Sequence, residues 1–141
     1  VIRLTINGNP STATAQQKGV FVHNGKPVFF TKKKVADTHR LLVAQLMQAR
    51  PAKPMGGNIS MMLIWTFAHP KASKQKNELV FHNKRPDLDN LIKGVLDALR
   101  PAGWIEEDSR ICSLHALKQY GPIPSLFLEA KPAEAMLTYA Q

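Results

Sequence analysis

Leu88, Leu91, Ile92, Val95, Leu96 and Leu99 fall at i, i+3, i+4, i+7, i+8 and i+11. A β-strand alternates its side chains with period two and cannot gather that spacing onto one face, whereas a helix does so directly. Pro86 stands just before the run, and Arg100-Pro101 with Gly103 beyond closes it, so both ends carry stop signals. An amphipathic helix with a stripe this broad must be laid on another element, and the rest of the chain has to supply the surface.

Most of that surface reads as strand. Residues 1–6 (VIRLTI) alternate enough for a strand, and 7–19 are polar and turn-rich, a loop. In 20–31, Asn24-Gly25 separates two apolar runs, the strongest short hairpin signal, and Pro27 places the second strand at an edge. Residues 33–48 turn helical: Val35, Leu42, Leu46 and Ala49, with Leu41 and Val43 beside them, form one apolar face, ended by Pro51 and Pro54. Residues 58–68 are a β-rich, mostly buried run, and 71–85 are polar and basic without a period, a mobile loop. Two further strands, 110–118 and 125–130, are joined by Tyr120-Gly-Pro-Ile-Pro, a turn that favours an antiparallel pair. The order β-ββ-α-β-α-β-β predicts a single α+β domain over 1–141, one mixed β-sheet packed by two main helices.

A chain of 141 residues suits one domain and can bury a core without disulfides or metals as staples. The longest apolar run, 61–68, is strand-sized and far short of the ~18 residues of a membrane span. No signal-peptide pattern opens the sequence, and one cysteine cannot form an internal disulfide, so a cytoplasmic location is the expectation. Cys112, between Ile111 and Leu114, reads as a buried inert thiol.

Charge is more informative. Nineteen Lys and Arg against ten Asp and Glu give a formal net of +9, which attracts polyanions, nucleic acid among them. The first 70 residues hold one carboxylate, Asp37, while six of the ten fall between 87 and 108: Asp87, Asp89, Asp97, Glu106, Glu107 and Asp108. A basic protein that concentrates its acids in one segment sets negative charge against its polyanionic partner. A divalent cation bridging carboxylate to phosphate resolves that conflict, as in metal-dependent nucleases.

Arg85-Pro-Asp-Leu-Asp-Asn opens the second helix. Were the whole stretch helical, Asp87 and Asp89 would point about 200° apart. The favoured arrangement has 87–89 extended and the helix starting at Asp89, so that the two acids face one side. The structural alternative is helix capping with dipole compensation, which needs one acid rather than two. Lys93 lies four residues after Asp89 and four before Asp97. That ladder fits an i,i+4 ion-pair stripe, and equally a cation held beside metal carboxylates to meet charge on a phosphate. Glu106-Glu107-Asp108-Ser109, between the helix and the next strand, reads on its own as a solvated acidic turn. The histidines (23, 39, 69, 82, 115) are scattered and no CxxC occurs, so a hard ion on carboxylates, Mg²⁺ with Mn²⁺ able to substitute, fits better than zinc.

Residues 85–99, RPDLDNLIKGVLDAL, followed by 103–111, GWIEEDSRI, closely resemble the signature of the RusA family of Holliday junction resolvases, approximately PDxDNLxKxxxDAL and then an acidic pair before a strand. Weaker similarity extends over the opening strand, the hairpin, the first helix and His69-Pro-Lys. The resemblance implies a RusA-like fold in a small homodimer, encoded by bacteria or their phages. Such enzymes recognise four-way DNA junctions by structure and nick two strands symmetrically with Mg²⁺ or Mn²⁺, in DNA recombination and repair. By motif position it implies metal-binding, essential aspartates at Asp87, Asp89 and Asp108 and a catalytic lysine at Lys93. Lys71, Lys74, Lys76, Lys84 and Arg85 are the candidate phosphate contacts. Where many members carry a run like KxRPR in the N-terminal loop, this chain has Gln16-Gln-Lys-Gly19, leaving Lys18 as the candidate DNA contact there. The competing readings are a non-catalytic basic DNA-binding protein, in which the acids only cap a helix, and a nuclease for other branched DNA.

Overall fold

The computed structural model describes residues 1–14 and 18–134; Gln16 and Gln17 of the N-terminal loop lie outside them. Along the chain run β1 (Ile2–Asn7), β2 (Lys18–His23), β3 (Lys26–Thr31), α1 (Lys33–Met47), β4 (Ile59–Ala68), β5 (Val80–Phe81), α2 (Leu88–Leu99), a single 3₁₀ turn (Asp108–Arg110), β6 (Ile111–Gly121) and β7 (Ser125–Pro132). Five strands form one mixed sheet in the order β1-β7-β4-β6-β5. β4 and β6 are parallel, and α2 lies in the connection between them; the remaining pairs are antiparallel.

β4 is the axis of the core. Ile59, Met61, Leu63, Trp65 and Phe67 are buried on one face, while Ser60, Met62 and Ile64 alternate onto the other and are half-covered. The buried face meets α2 through Leu91, Val95, Ala98 and Leu99, with Leu46 of α1 and Leu128 and Ala130 of β7 completing it. At the sheet edge, Arg3 sits opposite Glu129 and donates to it at 2.7 Å. That hydrogen bond, with the guanidinium charge behind it, holds the Glu129 carboxyl below its usual range.

The end of α2 is built to stop. Trp104 N–H donates to Leu99 O (3.0 Å) and Gly103 N–H to Arg100 O (3.0 Å), with Gly103 at φ +80°. This is a Schellman closure, with Gly in the left-handed position and the apolar Trp104 and Leu99 buried together. The indole of Trp104 is fully buried and its Nε1 donates to Leu46 O at 2.6 Å, which satisfies its one polar atom and ties α1 to the turn. Met55 N–H donates to Trp104 O and Glu106 N–H to Met55 O, so the path from α2 to the acidic 3₁₀ turn is fixed on both sides.

Four expectations are corrected. The hairpin forms as its Asn24-Gly25 turn requires, with φ +50° and +73°, but β2 and β3 make a sheet of their own rather than joining the main one. β6 and β7 run antiparallel yet are not partners, because β4 lies between them. Residues 71–85 are not wholly irregular: Val80–Phe81 pair with β6, and His82 N–H donates to Lys118 O. Cys112 is exposed rather than buried. The β4–β6 register shifts between Ile59↔Ile111 and Ser60↔Ser113, leaving Cys112 as the extra residue of a bulge, in a stretch of β6, Cys112 to His115, that is exposed throughout.

Candidate nuclease site

The acidic motif sits where the sheet, the basic loop and α2 meet. Asp87 is the N-cap residue of α2, extended at φ −68° and ψ 143°, and Leu88 is already helical. The helix therefore starts one residue before the expected Asp89, and only Asp87 keeps the extended backbone. Its carbonyl accepts from Leu91 N–H, but its side chain makes no cap hydrogen bond. The capping role that offered a structural explanation for Asp87 is thus absent.

The six acids of this segment divide cleanly. Asp97 accepts from Lys93 Nζ at 2.9 Å, Glu107 pairs with Arg100 at 3.6 Å and Glu106 with Arg110 at 3.8 Å. Asp89 Oδ1 accepts only the neighbouring Asn90 N–H, at 2.9 Å. The side chains of Asp87 and Asp108 have no hydrogen-bond or ion-pair partner among the described residues. All three motif aspartates are exposed, and α2 touches the 3₁₀ turn that Asp108 opens. Among the described residues no group of three or more His, Cys, Asp or Glu side chains is gathered closely enough to hold a metal ion. The donor chemistry nonetheless fits a hard cation: anionic oxygens on exposed side chains, engaged by no basic group among the described residues.

Lys93 uses only one rung of the predicted ladder, toward Asp97 and away from Asp89. The basic loop is better anchored than a periodless sequence suggested. His69 Nε2 bonds Glu78 O (2.7 Å), Ser73 Oγ bonds His69 Nδ1 (3.3 Å), and Gln75 N–H donates to Ser73 Oγ. Lys71, Lys74, Lys76, Lys84 and Arg85 are all exposed and make no ion pair among the described residues. Lys71 and Lys76 flank one shallow dent beside the 121–124 turn. Lys18 lies elsewhere: its Nζ donates to Thr31 Oγ1 (3.3 Å) at the hairpin's foot, across a groove from Asn90, Gly94 and Asp97 of α2.

Lys118 of β6 escaped the sequence reading. Its half-buried ammonium donates to Lys84 O and, at 2.7 Å, to Pro86 O, pinning the two carbonyls that lead into Asp87. Beside it His82, 7% exposed, stacks on Tyr120 at 4.2 Å and 9° and meets Phe67 edge-on. Burial first, and then the Lys118 and Lys84 charges, lower its pKa. Its Nδ1 accepts Lys84 N–H at 3.2 Å, which places the proton on Nε2. Above the ordinary value of 6.5 His82 is neutral in both states. As pH falls below it, the unfolded chain takes up a proton that the folded chain resists, and stability drops until the folded pKa has been passed. Between about pH 7 and about pH 5, before the carboxylates titrate, the thermal midpoint should fall more steeply for the wild type than for His82→Phe. Parallel slopes would remove His82 as the cause.

The family model for endodeoxyribonuclease RusA matches residues 10–130. A curated relative from Lactococcus phage r1t, the "Crossover junction endodeoxyribonuclease rusA", is 35% identical over 106 residues, covering 74% of this chain and 78% of the relative. Asp87, Asp89, Lys93 and Asp108 all fall inside the matched span, on the segment where the free carboxylates lie. With the α+β architecture, the acidic motif and a match over most of the sequence in agreement, this chain belongs to the RusA family of endodeoxyribonucleases.

Proposed function

We propose that this protein resolves four-way Holliday junctions by paired, symmetric nicks, acting as a homodimer with Mg²⁺, for which Mn²⁺ can substitute. The observation that carries the reading is the selective freedom of the Asp87 and Asp108 side chains in a chain of net charge +9. Asp97, Glu106 and Glu107 are paired with basic groups, whereas these two have no side-chain partner among the described residues. The phage r1t relative carries the junction-cleaving name, which supports the choice of substrate. A junction has near two-fold symmetry, and a C2 dimer matches it with one acidic site per nicked strand.

In this reading Asp87, Asp89 and Asp108 hold the cation, which activates water and neutralises phosphate charge when bound. Lys93 sets a positive charge beside the scissile phosphate. Lys118 keeps the 84–86 turn, and with it Asp87, in place. The lysines of the loop draw in and orient the backbone of the DNA. Incubation with a synthetic four-way junction, with and without Mg²⁺, tests the proposal. Metal-dependent symmetric nicks are expected. Equal cutting of flaps and forks, or binding without cutting, would replace it with one of the two competing readings.

The loop makes a separate expectation. Replacing Lys71, Lys74 and Lys76 together by Ala should weaken junction binding whatever its sequence. It should also flatten the log–log salt dependence by about 0.9 for each phosphate that is no longer neutralised. A salt slope equal to that of the wild type would take the loop out of the DNA interface.

A further inference from the structure

We infer that the β2–β3 hairpin is an arm that seats in the α1–α2 groove of a second copy of this chain, so that two copies exchange arms about a two-fold axis. The inference deepens the dimer of the proposed function and rests on it.

The hairpin is apolar on both faces. In its register Val20 lies opposite Phe29 and Val22 opposite Pro27 on one face; Phe21 lies opposite Val28 and Phe30 opposite Gly19 on the other. The second face partly covers itself, since the Phe30 ring lies on Gly19 and tilts against Phe21 at 5.9 Å. The first face is barer, with Val20 58%, Val22 73% and Phe29 70% exposed. Antiparallel sheets that face water on one side alternate apolar with polar residues, and this one does not. A two-stranded sheet is also marginal by itself in water, and β2 and β3 pair with no other strand among the described residues. Six apolar side chains held out on an isolated hairpin are the mark of an interaction surface.

The receptor is on the same molecule. A groove of about 730 Å³ runs between the end of β1, α1 and α2. Trp65, Leu91 and Val95 line its floor, Val35 and Leu42 its α1 wall, and the hairpin's own foot, Lys18 and Thr31, its rim. A projecting apolar arm beside an apolar cleft is self-complementary under two-fold rotation: each copy offers one arm and one groove, and both are filled in a closed, isologous pair. The charge pattern agrees. Two copies at +9 repel one another, yet the arm carries no charged residue from Gly19 to Val22 or from Pro27 to Thr31. Area points the same way. The barer face, with Phe29 70%, Val22 73% and Val20 58% exposed, adds to the groove walls toward the ~800 Å² per partner that a stable interface needs.

The test starts from sedimentation of the intact chain without DNA, alongside Val22→Lys/Phe29→Lys, with circular dichroism on both. A dimeric wild type and a folded, monomeric double variant are expected. A double variant that stays dimeric overturns the arm while the dimer stands. If it also loses junction binding, the hairpin is a DNA contact instead; if it keeps binding, association runs through another surface, such as the half-covered face of the main sheet. A monomeric wild type overturns both arm and dimer, and junction cleavage on the same sample reports separately on the nuclease. Should the double variant misfold, cross-linking decides. In a Cys112→Ser background, Phe29→Cys chains co-expressed with Leu41→Cys chains should form mixed disulfide dimers, because Leu41 lines the groove and is 61% exposed. Absence of the mixed species, or bonds only between like chains, overturns the exchange.

Discussion

Asp87→Asn and Asp108→Asn should each yield a folded protein that binds a four-way junction and does not cut it, and Asp89→Asn should do the same. An amide keeps the shape of the side chain and removes the anionic oxygen that a hard divalent ion requires. With one carboxylate gone, activation of water and neutralisation of the phosphate are lost together, and cleavage should fall by ~10³-fold or more. Stability should hardly move, because all three side chains are exposed and surface substitutions of this kind stay within about 0.5 kcal/mol. Binding should persist or tighten, since a negative charge facing DNA has been removed from a basic surface. The paired acids are the internal control. Glu107, already engaged by Arg100, should tolerate Gln with cleavage retained. Cleavage and gel-shift binding measured on the same variants decide the matter. Wild-type cutting by Asp87→Asn would dismiss the metal assignment.

The motif singled out Asp87, Asp89 and Asp108, and spacing offered Lys93 to Asp97, but the pairing of Glu106 and Glu107 could not be read from the sequence, where both adjoin Asp108 in a single run. Which of them are engaged depends on where Arg100 and Arg110 reach after the Schellman turn has redirected the chain. Helix α2 itself was legible because its signal is local: a sustained 3.6-residue period with stop signals at both ends. So was the hairpin turn, where Asn24 and Gly25 supply the positive φ that a two-residue connection demands. Strand adjacency was not. The turn at 120–124 reverses the chain as expected, but the partners of β7 are chosen by the apolar faces of β4 and β1, which lie far earlier in the chain. β5, two residues long, is too short to carry any period. Cys112 misled because its neighbours are apolar, while the first half of β6, Cys112 to His115, is left exposed in the fold.

Lys118 illustrates a second kind of blindness. It bonds backbone carbonyls 34 and 32 residues away, and a carbonyl has no signature in sequence. The motif names the acids, but the β6 lysine that holds the approach to Asp87 becomes visible only once the sheet is assembled. Arrangement of the site is therefore a property of the parallel β4–β6 pair and the basic connection around α2, not of residues 85–90 by themselves.

Lys93→Ala tests the remaining ambiguity, since the structure supplies a ready structural role for this residue. Its Nζ lies 2.9 Å from Asp97 Oδ2, with both side chains about half exposed. An i,i+4 pair of that kind is worth ~0.3–0.5 kcal/mol, and if pairing is all it does, Lys93→Ala should cost that much stability and leave cleavage intact. The family motif and the position one turn beyond Asp89 argue for more. A positive charge placed where phosphate charge develops should contribute ~2.7 kcal/mol or more to the barrier, so cleavage should fall by ~100-fold or more at unchanged junction affinity. Asp97→Asn separates the two roles. It removes the same ion pair and costs the same stability, but it releases the ammonium rather than deleting it, so cleavage should persist. The aspartates and the lysine should also differ in their response to metal. Raising Mg²⁺ should partly restore variants that bind the ion weakly, and should do nothing for Lys93→Ala, whose ligands are intact. Wild-type cleavage by Lys93→Ala would return the lysine to the ion-pair stripe, and recovery of that variant at high Mg²⁺ would move its contribution to metal binding.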